Sequence, residues 1–107
     1  IEVNVSGEVS KSGAEPSRVL ELVRQISVMP NLNVQGLMTM PPFFENPEEA
    51  RPYFVALRRL RDKIEGENIP GVQMKELSMG MTGDFEVAIE EGATIIRVGR
   101  AIFGERQ

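Results

Sequence analysis

Two glycine-containing turns in the last third of the sequence have the residue types that bind phosphate. Gly80–Met81–Thr82–Gly83 follows one predicted strand, and Gly99–Arg100 follows the next. Glycine leaves backbone N–H groups accessible, Thr82 adds a hydroxyl, and a helix predicted to begin at Thr82 would add the positive end of its dipole. The pattern therefore favours a phosphate site. The alternative is that Thr82 only caps the helix and the glycines only form turns.

Arg97 is the second candidate for a functional side chain. It lies in a predicted strand and shares one face of it with Ile95 and Gly99. If that face is buried, the cation needs an acceptor. The acceptor is either a ligand beside the phosphate turns or a strand carboxylate such as Glu2 or Glu76. A third reading, in which Arg97 faces outward against a helix, also stays open.

The sequence has three lysines, and none of them lies at a position that by itself favours a chemical role. Lys11 follows the first predicted strand, where a solvated charge is the ordinary interpretation and a ligand contact the less frequent one. Lys63 belongs to a charged face of a predicted helix. Lys75 precedes a strand, at the end of a parallel sheet opposite to that used by ligands.

The composition removes several classes of function. The 107 residues suffice for one domain, and their formal charge of −4 is unlike the basic surface of a nucleic-acid-binding protein. Without cysteine or histidine, the chain lacks disulfides, thiol catalysis and the most frequent general base and metal ligand. No apolar run approaches the roughly 18 residues of a membrane helix. We therefore expect a cytoplasmic protein with neither a nucleic-acid nor a membrane partner.

Strands and helices alternate along the chain. We predict strands at Ile1–Ser6, Val34–Met40, Met74–Met79 and Thr94–Val98. Predicted helices begin at Pro16, at Asn46 and at Thr82, and the second becomes regular only near Arg51 if Pro52 interrupts it. The order βα, βα, βα, βα indicates parallel strands joined by crossover helices. Four such units form either half of a (β/α)₈ barrel or a small open sheet.

The apolar spacing also predicts which side chains are buried. The first helix carries a stripe of apolar residues, namely Val19, Leu20, Leu22, Val23 and Ile26. In the third helix we expect Phe85, Ala88 and Ile89 to form the buried face. Phe43–Phe44 either packs under a helix or covers a partner surface, and we favour the partner surface.

At the level of motifs the chain resembles the pyridoxal phosphate homeostasis protein family, also called the YggS or PROSC family. The matching stretches are VNVSGEVSKSG at 3–13, QGLMTMPP at 35–42 and LSMGMTGDFEVAIEEGATIIRVGRAIFGER at 77–106. The resemblance implies a TIM-barrel-type (β/α)₈ fold, similar to the N-terminal domain of alanine racemase. Residues 1–107 would then be the C-terminal half of one barrel domain, covering about the last four βα units.

The same resemblance implies a cofactor and its contacts. Pyridoxal 5′-phosphate (PLP) would have its phosphate held by Met81, Thr82, Gly99 and Arg100, and its pyridine nitrogen would face Arg97. Family members often have Thr or Ser where this chain has Arg100, so a hydroxyl contact to the phosphate is missing there and the backbone N–H remains. The lysine that forms the Schiff base is expected in an N-terminal half that precedes residue 1, and its role is not transferred to Lys11.

The function implied is PLP binding and intracellular PLP (vitamin B6) homeostasis by a non-catalytic carrier or regulator. The alternative is a PLP-dependent, racemase-like enzyme, and a third hypothesis is a folded fragment that binds no cofactor. The lack of histidine, with Tyr53 as the one tyrosine, favours the non-catalytic reading. Because half a barrel exposes its inner face, we expect the other half or a second copy as partner.

Overall fold

The computed structural model describes residues 1–5 and 13–98. The helices are α1 (Pro16–Ser27), a 3₁₀ turn (Pro47–Ala50), α2 (Arg51–Gly66) and α3 (Phe85–Glu90). The strands are β1 (Gly36–Met38), β2 (Glu76–Met81) and β3 (Ile95–Arg97). The alternation of strands and helices predicted from the sequence is therefore present in the described part of the chain. At most of their ends the strands are shorter than the predicted ones.

The first predicted strand is reduced to two bridges. Glu2 pairs with Met38 and Val3 with Ala14, both in parallel. The Val3 N–H donates to the Met38 carbonyl over 2.7 Å, and the Met38 N–H donates to the Ile1 carbonyl over 2.8 Å. Residues 1–3 thus lie beside β1, although no regular strand is formed there. The predicted end of this strand at Ser6 lies outside the described residues.

The three strands form a parallel sheet in the order β1–β2–β3. With residues 1–3 next to β1, neighbours in the sheet are also successive in the sequence. A doubly wound sheet reverses its order at a switch point, whereas a barrel does not. Of the two architectures left open by the sequence, the strand order therefore favours the barrel type.

One face of the sheet is covered by helices. Leu37 and Leu77 are partners across β1 and β2, and both are buried. Helix α2 packs on β1 and β2, and α3 packs on β2 and β3. Phe54 and Leu57 of α2 complete the core on this side. The opposite face carries the alternate residues of the strands, which include Met38 and Arg97.

The second helix begins in two steps. The Asn46 side chain accepts a hydrogen bond from the Glu48 N–H over 3.1 Å and caps the 3₁₀ turn. The regular helix then starts at Arg51, with Pro52 in its first turn. Proline is tolerated there because N–H groups in the first turn have no partner within the helix. The prediction that the second helix becomes regular only near Arg51 is confirmed.

The predicted start and buried face of the third helix are both wrong in part. Asp84, not Thr82, occupies the N-cap position of α3, because residues 81–84 first close a turn. The buried residues are Val87 and Ala88, and Ile89 is 52% exposed. A helix that begins later, and spans only six residues, presents a different set of side chains to the sheet.

Charged side chains join α2 to α3. Arg51 donates to Glu48, Glu90 and Glu91, and Arg58 also donates to Glu91. These hydrogen bonds, with that to Glu48 the largest contribution, raise the pKa of Arg51 above its usual range. The Glu91 side chain is only 13% exposed and bonds both arginines. The network fixes the end of α3 against α2, and thereby the helix that follows the predicted phosphate turn.

Candidate functional site

The turn at the end of β2, residues 80–83, is closed by two hydrogen bonds between Met81 and Asp84. The Met81 N–H donates to Asp84 Oδ1 over 2.8 Å, and the Asp84 N–H donates to the Met81 carbonyl over 3.0 Å. Gly80 has a φ of +106°, a conformation that favours glycine. The 80–83 turn therefore has a defined shape, and the Met81 N–H takes part in holding it.

Thr82 borders a shallow cavity of about 300 Å³ between the 80–83 turn and the 3₁₀ turn. Three acidic residues, Glu48, Asp84 and Glu86, also line this cavity. Their negative charges disfavour a phosphate group inside it. We therefore expect an anion to approach the turn from the side of β3 and Arg97.

Arg97 lies directly across from this turn. In the pairing of β2 with β3, its partner is Met81, and the register shifts between Ser78 and Met81. Arg97 Nη1 lies 3.9 Å from Met38 Sδ, which places both side chains on the face of the sheet away from α2 and α3. The strands thus bring Arg97 and the 80–83 turn together.

The guanidinium of Arg97 is not satisfied by the described part of the chain. Its Nε and Nη2 atoms are buried and have no hydrogen-bond partner among residues 1–5 and 13–98. The acceptor at Nη1 is a thioether, which is a weak one. Glu76, an expected partner, instead accepts from the Thr94 hydroxyl over 3.0 Å. A buried donor without an acceptor costs on the order of 1–3 kcal/mol, so this arrangement calls for an acceptor outside the described residues.

Three residues singled out in the sequence fall outside the described residues. Gly99 and Arg100, the second predicted phosphate turn, follow directly after Val98, and Lys11 lies in the 6–12 segment. Of the five predicted cofactor contacts, the structure therefore places Met81, Thr82 and Arg97.

Phe43 and Phe44 take different positions. The Phe44 ring stacks on Tyr53 with centroids 5.7 Å apart, whereas Phe43 is 84% exposed. The Phe43 ring lies close to Gly83, so the loop after β1 reaches the 80–83 turn. One aromatic therefore packs against a helix, and the other is exposed beside the site.

Sequence reasoning missed the part played by Asp84. The residue lies in the quoted motif, and its side chain could serve either the helix or the strand. The structure directs it to the strand, since Asp84 makes no side-chain capping bond to α3. The signal in the sequence is an aspartate that directly follows a Gly-rich turn.

Two other kinds of site are not found in the described ranges. Residues 1–5 and 13–98 contain no group of three or more acidic side chains arranged to bind a metal ion. Within the same residues, no helix has the length and apolar character of a membrane span.

The whole chain matches one protein family. Residues 1–107 fit the sequence model of the alanine racemase N-terminal domain. The chain belongs to this family. Its parallel α/β sheet agrees with the TIM-barrel-type fold that the resemblance implied.

Curated relatives carry a common name. A "pyridoxal phosphate homeostasis protein" of Aquifex aeolicus is 56% identical over 107 residues, which are 100% of this chain and 46% of the relative. The human protein of the same name is 43% identical over 109 residues, covering 99% of this chain and 39% of the relative. The chain thus spans less than half the length of these relatives.

Solved structures with similar folds include a protein of Bifidobacterium adolescentis, at a TM-score of 0.87 and 47% identity. That match covers 95% of this chain and 41% of the other. PipY of Synechococcus elongatus, in a structure with PLP bound, has a TM-score of 0.77 and 28% identity. The matched region covers 92% of this chain and 44% of PipY.

Proposed function

We propose that this chain supplies the phosphate and pyridine contacts of a PLP-binding barrel that serves PLP homeostasis. The unsatisfied guanidinium of Arg97, beside the 80–83 turn, is the observation that carries the proposal. The named relatives and PLP-bound PipY support the choice of ligand.

The residues present fit PLP chemically. The pyridine nitrogen offers a lone pair, and a guanidinium is a donor that has no acceptor atom. Phosphate oxygens accept from hydroxyls and backbone N–H groups, both of which the 80–83 turn contains. Thr82, Gly99 and the Arg100 N–H would hold the phosphate, and Arg97 the ring nitrogen. The Met81 N–H already bonds Asp84, so Met81 would contribute through its position in the turn.

The proposed role is that of a carrier or regulator without catalysis. When bound, PLP supplies an electron-withdrawing ring that stabilises a negative charge on a substrate carbon. A guanidinium remains a cation at any working pH, so it donates to the ring nitrogen and leaves that nitrogen unprotonated. An unprotonated ring withdraws electrons less strongly. The chain has no histidine, and its one tyrosine, Tyr53 of α2, stacks on Phe44.

The rest of the barrel would come from a second polypeptide segment. We propose that residues 1–107 form about the last four βα units of one barrel domain. The face that carries Met38 and Arg97 would then point to the barrel interior. The part that the relatives have in addition would cover it and would supply the Schiff-base lysine. A second copy of the chain would cover the same face without supplying that lysine.

Borohydride reduction tests the placement of this lysine. We would dialyse the chain against PLP, measure the bound PLP, reduce with borohydride and determine peptide masses. We expect reversible binding without a stoichiometric adduct on Lys11, Lys63 or Lys75. A single stoichiometric adduct would place the Schiff-base lysine within this chain.

A fusion tests the function itself. The chain would be joined to the part of the Aquifex aeolicus relative that it does not match, and loaded with PLP. We expect bound PLP and no exchange of amino-acid α-protons for deuterium in D₂O. Exchange would favour the racemase-like alternative, and absence of PLP from both the chain and the fusion would contradict the proposal.

Thr82→Ala should weaken PLP retention. The substitution removes a hydroxyl donor from the 80–83 turn, and one lost hydrogen bond to a charged group corresponds to about a tenfold change in affinity. Dialysis of the loaded fusion, followed by the absorbance of the retained PLP, measures the effect. Lys63→Ala, on the exposed face of α2, is the matched control and should retain PLP like the unmodified protein. Equal retention by both variants would show that the phosphate site is assigned to the wrong turn.

A further inference from the structure

We propose that Asp84 is a positioning residue, which sets the separation between the phosphate-binding turn and Arg97. The inference rests on the proposed function and deepens it. Asp84 is not assigned a contact with the cofactor; it acts through the backbone of Met81.

The regular ladder between β2 and β3 is interrupted where Asp84 acts. The register shifts between Ser78 and Met81, and Gly80 takes a positive φ within the same stretch. At this irregular position, the Met81 N–H finds its acceptor in Asp84 Oδ1 at 2.8 Å. A side chain thus replaces the strand partner that a continuous ladder would have supplied.

The Asp84 carboxylate is directed to the strand and not to the helix. At the N-cap of α3 an aspartate ordinarily accepts from the N–H groups of the first helical turn. Asp84 makes no such bond, and its Oδ1 accepts from Met81 instead. Stabilisation of α3 therefore does not explain where the side chain points.

Met81 connects both halves of the proposed site. It directly precedes Thr82 and Gly83 in the 80–83 turn, and it is the cross-strand partner of Arg97. Fixing Met81 therefore fixes the turn and the guanidinium relative to one another. A ligand that spans both, with a phosphate at one end and a ring nitrogen at the other, requires that separation to be constant.

The position of the acceptor should matter more than its charge. A phosphate beside the 80–83 turn is repelled by a carboxylate, so the negative charge of Asp84 brings no benefit to anion binding. An amide oxygen at the same place still accepts from the Met81 N–H. A longer side chain keeps the charge but moves the oxygen away from that N–H.

Asp84→Asn and Asp84→Glu separate these two properties. Calorimetry on the chain would compare pyridoxine 5′-phosphate with pyridoxine, two probes that have no aldehyde and cannot react with lysine. We expect the Asn variant to keep the preference for the phosphorylated probe within about twofold, and the Glu variant to lose about tenfold of it. Affinity for pyridoxine itself should stay unchanged in both. If the Glu variant does not fold, Asp84→Ser, whose hydroxyl is too short to reach Met81, takes its place.

The outcomes distinguish the two proposals. An unmodified chain that binds both probes equally would overturn the phosphate site, and this inference with it. A normal preference in the unmodified chain, together with equal values for the Asn and Glu variants, would overturn only the role of Asp84. A parallel loss of affinity for both probes, following the urea midpoint, would show that Asp84 is merely structural.

Discussion

Arg97→Met should release PLP and yet leave the cofactor-free chain as stable as before, or more stable. The two effects have opposite signs because Nε and Nη2 of the guanidinium are buried without an acceptor in the described part of the chain. A methionine of similar length removes the buried donors and keeps most of the apolar contact. Replacement of an unsatisfied buried polar group by an apolar one is neutral or stabilising.

The loss of PLP should be large. Truncation of a charged group that bonds a partner away from water costs about 2–5 kcal/mol, which is roughly thirtyfold to several thousandfold in affinity. Arg97→Lys should bind PLP weakly as well, because an ammonium lacks the planar arrangement of donors. Equilibrium dialysis of the PLP-loaded fusion gives the affinity, and urea denaturation of the cofactor-free chain gives the free energy of unfolding.

Lys63→Ala is again the control for general effects of removing a cation, since Lys63 is exposed on α2. If Arg97→Met lowers the free energy of unfolding by more than about 1 kcal/mol, Arg97 has a structural partner. That partner would lie outside the described residues, and the argument from its unsatisfied nitrogen atoms would fail. Retention of PLP by the Arg97→Met variant would show that Arg97 does not contact the cofactor.

Different kinds of sequence pattern predicted Arg97 and the 80–83 turn as candidate ligand contacts. Alternation within a strand identifies the face on which Arg97 lies. The parallel order of strands places the ends of β2 and β3 side by side. Neither pattern predicts that Nε and Nη2 are without a partner, because Glu2 and Glu76 were equally reasonable acceptors. That distinction depends on side-chain positions across three strands.

The start of α3 shows the limit of local preference. Thr82 and Asp84 are both favourable N-cap residues, so their types do not decide between them. The decision comes from the irregular end of β2, where the Met81 N–H needs an acceptor that Asp84 supplies. As a result the helix begins after Asp84, and Ile89 becomes exposed. A turn whose shape depends on a neighbouring strand is not encoded by its own residues alone.

The first strand illustrates the same point at the level of pairing. Ile1–Ser6 alternates as a strand should, yet within residues 1–5 the structure has only the bridges of Glu2 and Val3. A strand is completed by partners on both sides, and one of these is the 13–14 segment. Periodicity reports the preference of a segment, whereas regular pairing depends on what lies beside it.

Gly80→Ala should destabilise the chain and disturb the site together. A Cβ at this position would lie 2.7 Å from the Ala88 Cβ and 3.2 Å from Ile96 Cγ2. It would also force an L-residue to keep a φ of +106°. The unfavourable backbone conformation costs about 1–2 kcal/mol, and the close contact with α3 about 1–3 kcal/mol more. We therefore expect a loss of about 2–5 kcal/mol in the free energy of unfolding, measured by urea denaturation.

Gly66→Ala provides the matched control, since the last residue of α2 has no atom within 4 Å of an added Cβ. That substitution should be neutral or stabilise the chain by up to about 1 kcal/mol, because alanine is the better helix former. For Gly80→Ala, relief of the contact requires α3 to move away from β2. The same movement displaces Asp84 from the Met81 N–H, so the variant should also lose its preference for phosphorylated ligands. A Gly80→Ala chain as stable as the unmodified one would mean that β2 can continue regularly through residue 80, and the 80–83 turn would then not be fixed by its own geometry.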